Sequence, residues 1–384
     1  MTEPLRYGVI GTGMMGREHI ANIAALDDAD VVAVADTDAE SRRAALAMPG
    51  MNGVAAFEDH QQLLDDHEVD AVVVATPNMT HADVVLDVLD AGINVLIEKP
   101  LCTTVEDCYR IEEAARRSDG LAWVGLEYRY MPPIARLIDE VESGAVGSVK
   151  MIALREHRFP FLPKVDDWNR FNENSGGTLV EKCCHFFDLM NLISGAAPIR
   201  VFASGAQDVN HLDEVYDGRV PDVLDNAFVI VDYDNGTRAL LDLSMFAEVA
   251  RYQEEVVVTG DRGRVAAYVP GPLGEQEGLH GFVEVGDRIH HRFSVEEVKN
   301  SEVRYEGLHH GSSYLEHVDF QKAVRGAITA SKQRETTDFI AAVRGGVEPA
   351  VTVRDGLLSV AIGVAAQRSI AERRIVEMAE VLED

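Results

Sequence analysis

The sequence predicts an α/β fold: an N-terminal doubly wound parallel sheet of the Rossmann type, then an α+β domain with an open, mainly antiparallel sheet. Three observations carry this expectation. Short apolar strands alternate with helical segments through the first 125 or so residues. A glycine fingerprint, GTGMMG, stands directly after the first strand. Beyond residue 126 the texture changes to alternating strands joined by tight turns. A chain of 384 residues is long enough for two domains with a large core. The expected boundaries are 1–126 and 127–384, with a late helix near 354–373 packing back on the first domain.

Residues 5–10 (LRYGVI), 31–36 (VVAVAD), 70–75 (DAVVVA), 93–97 (INVLI) and 121–125 (LAWVG) are β-branched runs without strict alternation. Continuous apolar strands of this kind belong to a parallel sheet covered on both faces. Segments such as 80–91 and 104–117 supply the intervening helices. In the second half, a helix at about 133–142 ends at Gly144 and a strand follows at 148–157. Asn235-Gly236 sits between two alternating runs, the strongest short-range hairpin signal. Gly260-Asp261-Arg262-Gly263 makes a second turn, giving an antiparallel meander. Helices at about 312–326, 332–344 and 354–373 close the chain.

The charge excludes some functions. Lys+Arg 35 against Asp+Glu 65 gives −30, which opposes binding to nucleic-acid phosphates or anionic lipid. Only seven of the basic residues are lysine. Such an acidic, lysine-poor composition fits a protein kept soluble in concentrated salt, where its self-repulsion is screened. Arginine-favouring codons with an acidic surface give the same numbers. No apolar run approaches the roughly 18–20 residues needed to span a bilayer. The N-terminus MTEPLRYGVIG lacks a basic region and enters a strand directly, so no signal peptide is expected. The four cysteines, 102, 108, 183 and 184, do not form a disulfide framework or paired metal-ligand clusters. A cytoplasmic protein without a metal is expected.

The fingerprint is Gly11, Thr12, Gly13, Met14, Met15 and Gly16. Its glycines permit a tight turn, close approach of backbone to pyrophosphate, and close helix–strand packing. The N–H groups of the following helix then face the phosphates. Asp36 follows 20 residues after Gly16, at the end of the second strand. Its carboxylate can accept both ribose hydroxyls of NAD and repels a 2′-phosphate, although Arg42 and Arg43 lie near and keep NADP possible. At the end of the fourth strand, ATPNMTH places Thr76, Pro77 and Asn78 where a nicotinamide or ribose lies. Thr80 is the expected N-cap of the next helix. His81 is either a cofactor contact or a surface residue. The fifth strand ends in Glu98-Lys99-Pro100, and Lys99 there can hydrogen-bond a substrate hydroxyl and favour its ionisation.

In GGTLVEKCCHFFDLM (176–190), Glu181, His185 and Asp188 are spaced four and three apart. On one helix they form a polar stripe beside an apolar face of Leu179, Phe186, Met190 and Ile193. Such a stripe, taken alone, is the solvated side of an amphipathic helix.

Taken together, GTGMMG, ATPNMTH, IEKP and GGTL…H..D…SG resemble the glucose–fructose oxidoreductase / inositol dehydrogenase family over nearly the whole chain. The resemblance implies a Rossmann domain, a C-terminal α+β domain whose open sheet mediates a homodimer or homotetramer, and sugar or cyclitol substrates oxidised with NAD(P). It implies that Lys99 and His185 are the catalytic pair. Glu181 falls where the family usually has an aspartate. His185 then takes a proton from a substrate hydroxyl, as suits a group whose pKa lies near working pH. Glu181 orients the imidazole or grips a neighbouring hydroxyl, and Asp188 is structural. The usual pattern of Asp, any, Gly, any, His is here Glu181, Lys182, Cys183, Cys184, His185. These departures bear on the substrate more than on the reaction type.

Arg129 and Tyr130 are expected to line the cleft, and Trp168, Asn169 and Arg170 to stack on or hydrogen-bond a sugar ring. One of His309, His310 and Tyr314 is expected to contribute. Cys183 and Cys184 are small packing residues. Three activities stay open at this point. They are dehydrogenation or its reverse, net glycoside cleavage through transient oxidation, and nucleotide sensing without chemistry.

Overall fold

Six strands, β1 (Leu5–Ile10), β2 (Ala29–Ala35), β3 (Ala55–Phe57), β4 (Ala71–Val74), β5 (Asn94–Glu98) and β6 (Ala122–Gly125), pair in the order β3-β2-β1-β4-β5-β6. Every pair is parallel. Between them run α1 (Met14–Ala24), α2 (Ala39–Leu46), α3 (His60–Asp66), α4 (His81–Asp90) and α5 (Val105–Arg117). The strand order reverses between β1 and β4, so the crevice at the carboxyl ends of these strands is the ligand position of such sheets. Val72, Val73, Val74, Val95, Leu96 and Ile97 are wholly buried, as strands covered on both faces require. β3 was not anticipated; three residues without a β-branched side chain carry no strand signal.

The computed structural model describes residues 3–66, 68–271, 281–285, 288–293, 307–334 and 349–383. Its contacts form two units, 1–102 with 106–125 and 313–357, and 103–105 with 126–312 and 358–384. A division at residue 126 assigns 313–334 and 349–357 to the second domain, whereas these residues group with the parallel sheet. Aromatic packing is the reason. Phe320 on the helix Gly307–Arg334 lies 6.3 Å from the ring of Tyr7 and 6.1 Å from that of Trp123. Trp123 Nε1 donates to Glu316 Oε1 at 3.1 Å. The expected helix 332–344 contributes only the end of this element, and residues 335–344 lie outside the described ones.

The second unit contains α6 (Pro132–Glu142), β7 (Val149–His157), α7 (Asn172–Ser175), α8 (Thr178–Glu181), α9 (Cys184–Ser194) and a large mixed sheet. To β7 the sheet adds β8 (Pro198–Ala206), β9 (Asn226–Tyr233), β10 (Arg238–Ser244), β11 (Tyr252–Gly260), β12 (Arg264–Pro270), β13 (Gly281–Val285), β14 (Arg288–Phe293) and β15 (Val376–Glu377). Their order is β14-β13-β12-β11-β7-β10-β9-β8-β15, and only β7 with β10 is parallel. The turn at Asn235-Gly236 joins β9 to β10, with Gly236 at φ 85°. One sheet face packs on α6, α9 and residues 361–366 of the helix Val353–Glu372, through residues such as Ile152, Leu154, Val229, Leu241, Phe186 and Met190. On the other face Phe202, Ile230 and Leu240 stand in register across β8, β9 and β10, all exposed, with Phe228 60% exposed beside them. Among the described residues no helix is long and apolar enough to cross a membrane.

Candidate active site

At the nucleotide end, sterics explain the glycines. Gly11 has φ 87°, and a Cβ there would lie 2.5 Å from the backbone of Ala75. A Cβ on Gly16 would lie 1.9 Å from Gly11 O. Gly13 faces open space, and α1 begins at it without a side-chain cap. That leaves room and backbone donors for a pyrophosphate at the helix N-terminus. Asp36 fixes the turn from the next strand: Oδ2 accepts the N–H of Thr12 at 2.6 Å and its hydroxyl at 3.0 Å, and Oδ1 accepts the N–H of Asp38 at 2.8 Å. Arg42 donates to the carbonyl oxygen of Asp36 and Arg43 to that of Ala39. Both guanidinium groups are therefore turned to backbone. Met14 is exposed and Met15 half-buried on the first turn of α1. These residues fit an NAD ribose and pyrophosphate.

Beyond β4, Pro77 opens a turn over Asn78–Thr80, and Asn78 is buried. Thr80 occupies the N-cap of α4, but its hydroxyl donates to Thr76 Oγ1 and Pro77 O, so it does not cap the helix. His81 differs from both expectations. It is wholly buried, its Nδ1 2.9 Å from Pro100 O and its Nε2 3.0 Å from Thr76 O. Burial pushes its pKa down. Both ring nitrogens hold two strand-end loops together. Glu98 is likewise internal, with Oε1 2.8 Å from His19 Nε2 and Oε2 accepting the N–H of Lys99 at 3.0 Å.

In the second unit the expected polar stripe is not wet. Residues 178–190 are buried throughout, and the helix breaks at Lys182-Cys183, between α8 and α9. Cys183 N–H bonds back to Thr178 O at 3.2 Å, a five-residue step of the kind that marks π-type turns at functional sites. The apolar residues Leu179, Phe186, Met190 and Ile193 do join the core. Cys183 and Cys184 are buried and form no disulfide, as packing residues. Asp188 holds Arg129, which donates from Nε to Oδ2 at 2.6 Å and from a terminal nitrogen to Oδ1. The Asp188 carboxylate and the Arg129 head group thus hold each other in the buried interior.

His185 is 3% exposed, and its ring lies on that of Tyr128 with centroids 4.0 Å apart and planes 10° from parallel. Glu181, at 5%, sits four residues earlier on the far side of the break. Lys182 points into the protein. Its Nζ lies 2.8 Å from Glu156 Oε1, bonds the Tyr128 hydroxyl and sits 4.7 Å over the Tyr128 ring. Glu156 and Glu254 face each other across β7 and β11, both wholly buried, and Tyr128 OH donates to Glu254 Oε1 at 3.3 Å. Burial first, and then the charge on Glu156, push the Glu254 carboxyl up to about 7. Burial lowers the pKa of Lys182.

The loop residues are corrected. Asn169 is wholly buried and donates to Leu162 O at 3.1 Å; Arg170 is 3% exposed and donates to Glu214 Oε2 at 2.8 Å. Both pack the loop and leave only Trp168, half-buried, for a ligand from that trio. Tyr130 and Tyr314 are half-buried, and the side chains of His309 and His310 lie outside the described residues.

Sequence reasoning missed Tyr128, Glu156, Glu254, His19 and His317. Phase was the available signal: Ile152, Leu154 and Glu156 share one face of β7, and Glu254, Val256 and Val258 one face of β11, so each glutamate stands in a core position.

Two family models match this chain. The NAD-binding Rossmann-fold domain of the Gfo/Idh/MocA oxidoreductase family matches residues 5–126, and its C-terminal alpha/beta domain matches residues 138–378. The chain belongs to the Gfo/Idh/MocA oxidoreductases. Myo-inositol 2-dehydrogenase of Thermotoga maritima is 29% identical over 98% of this chain and 100% of its own length. Inositol 2-dehydrogenase 2 of Saccharopolyspora erythraea is 31% identical over 72% of this chain and 77% of its own. The crystal structure of a probable dehydrogenase from Thermotoga maritima superposes with a TM-score of 0.75 at 27% identity, covering 98% of this chain and 100% of that one. This member of the family is an NAD-dependent dehydrogenase of CH–OH groups.

Proposed function

We propose that the enzyme oxidises a secondary alcohol of a sugar, sugar derivative or inositol, with Lys99 and His185 as its catalytic pair. The observation that carries the substrate class is the end-to-end similarity to a myo-inositol 2-dehydrogenase. Bound NAD supplies the hydride acceptor. His185 accepts the proton of the substrate hydroxyl, its ring plane held by Tyr128. The Lys99 ammonium hydrogen-bonds the same oxygen and favours its ionisation, from a backbone whose N–H is tied to Glu98. Glu181 grips a neighbouring hydroxyl or orients the imidazole. The cofactor is NAD in preference to NADP, because the Asp36 carboxylate disfavours a 2′-phosphate and Arg42 and Arg43 are turned to backbone.

The exposed row Phe202, Ile230 and Leu240 supports a second copy docking on the sheet, as a homodimer or part of a homotetramer. Four buried cysteines without a disulfide accord with a reducing cytoplasm.

A panel of inositols, sugars and sugar acids with NAD and with NADP, followed by NADH absorbance, tests the reading. Steady NADH formation with a polyol supports it. Product from a glycoside without net NADH means transient oxidation and cleavage, and overturns it.

A further inference from the structure

A buried chain of hydrogen bonds in the first unit is not used by the chemistry above. His19 lies on α1, three residues past Gly16, and is 1% exposed. Its Nε2 is 2.8 Å from Glu98 Oε1 and its Nδ1 is 2.7 Å from Nε2 of His317, which is wholly buried on the helix Gly307–Arg334. The two imidazoles meet edge to face, with centroids 4.9 Å apart. Glu98 Oε2 then accepts the backbone N–H of Lys99.

Counting donors assigns the protons. A carboxylate only accepts, so His19 Nε2 carries a hydrogen. Among the described residues His317 Nδ1 has no hydrogen-bond partner. A buried N–H left without an acceptor is rarer in folded proteins than a buried acceptor left without a donor. His317 therefore carries its hydrogen on Nε2 and donates it to His19 Nδ1. Every donor points one way, from His317 to His19 to Glu98. Burial, and then the neighbouring His19, push the His317 pKa well down, so the ring is neutral. Burial would raise Glu98, but its interaction with His19, more than the Lys99 charge, outweighs it and leaves the carboxyl below its usual range.

We propose that His19 and His317 are positioning residues for Lys99: they orient the Glu98 carboxylate, which fixes the Lys99 backbone and ties it to the helix whose N-terminus faces the dinucleotide. A bond in this chain that rotates Glu98 moves the origin of the lysine side chain, and displacement by about 1 Å is enough to cost on the order of a hundredfold in rate. The inference rests on the reading of Lys99 as a catalytic group.

The test uses the full chain and the fastest alcohol from the panel, with His19→Leu, His19→Gln and Lys99→Ala. His19→Leu is expected to lower kcat about 10- to 100-fold, with KM and the NAD dissociation constant within about threefold, as a misplaced group does. His19→Gln, whose amide can donate to Glu98, is expected to recover most of the loss. Equal loss in both variants, accompanied by weakened NAD binding, would show mere packing of α1 and overturn the inference. Normal turnover in His19→Leu beside an inactive Lys99→Ala sinks the inference alone; normal turnover in Lys99→Ala sinks the reading beneath it. Nitrogen-15 spectra of the unaltered protein near neutral pH give an answer that needs no variant. Both rings should be protonated at Nε2 and bare at Nδ1, and a doubly protonated His19 contradicts the assigned chain.

Discussion

The imidazole of His185 lies flat against the phenol of Tyr128, 4.0 Å between centroids and 10° from coplanar. Offset or parallel stacking of this kind restricts the ring to one plane. The same Tyr128 receives Lys182 on its hydroxyl and donates to Glu254, so the ring against which His185 stacks is itself anchored in a buried ionic group.

Replacing either proposed catalytic group should abolish most turnover. Lys99→Ala and His185→Ala are each expected to lower kcat by roughly two to four orders of magnitude, the range for general acid–base groups, with NAD binding retained. Steady-state kinetics beside calorimetric NAD titration checks this. Near-normal turnover in either variant rejects that residue's role.

Asp36→Ala should discriminate between coenzymes. Loss of charged hydrogen bonds to the ribose is expected to weaken NAD binding by about 1.5–3 kcal/mol. NADP, freed of a repelling carboxylate, should bind no worse. Equal weakening of both would mean that Asp36 acts only through its bonds to Thr12.

The Arg129–Asp188 pair is a stability element. Its side chains are 11% and 1% exposed, so removing one partner leaves a buried charge. Arg129→Met should cost about 3–5 kcal/mol, read from urea unfolding. A loss below about 1 kcal/mol, the size of a surface ion pair, would contradict the burial.

Glu254 gives stability a pH dependence of predictable sign. Its folded pKa, raised to about 7 by burial and Glu156, lies above that of the unfolded chain. The protonated carboxyl is favoured in the fold, so its contribution is full below the ordinary carboxylate range and is lost as pH rises through about 7. Unfolding free energies at about pH 5 and about pH 8 should differ less in Glu254→Gln than in the unaltered protein. An identical difference in both would move the effect elsewhere.

Salt should stabilise the chain if the acidic composition is an adaptation to it. With a net charge of −30, the melting temperature is expected to climb from dilute to molar KCl as repulsion is screened. A flat melting curve leaves codon usage as the explanation.

Legibility followed the range of the forces involved. β4 and the Val95–Ile97 stretch of β5 were plain because a strand buried on both faces favours an unbroken apolar run, and their sequences show one locally. Asp36 and the glycines were plain because one turn geometry dictates them. Asn169 and Arg170 misled because an amide and a guanidinium suit a sugar as well as they suit a carbonyl and Glu214. Lys182 was opaque because its partners, Glu156 and Tyr128, are remote in sequence. The helix break at Lys182-Cys183 left no mark either, since neither residue is glycine or proline and surrounding packing decides it.

The five-residue step at Cys183 acts as a spacer between Glu181 and His185. An α-helix turns by roughly 100° per residue, so deleting a single codon within this step would swing the downstream imidazole around the axis while keeping both Glu181 and His185. If Glu181 and His185 act on substrate as proposed, variation of that spacer offers a lineage, or an engineer, a way to retarget the pair toward differently placed hydroxyls without inventing new chemistry.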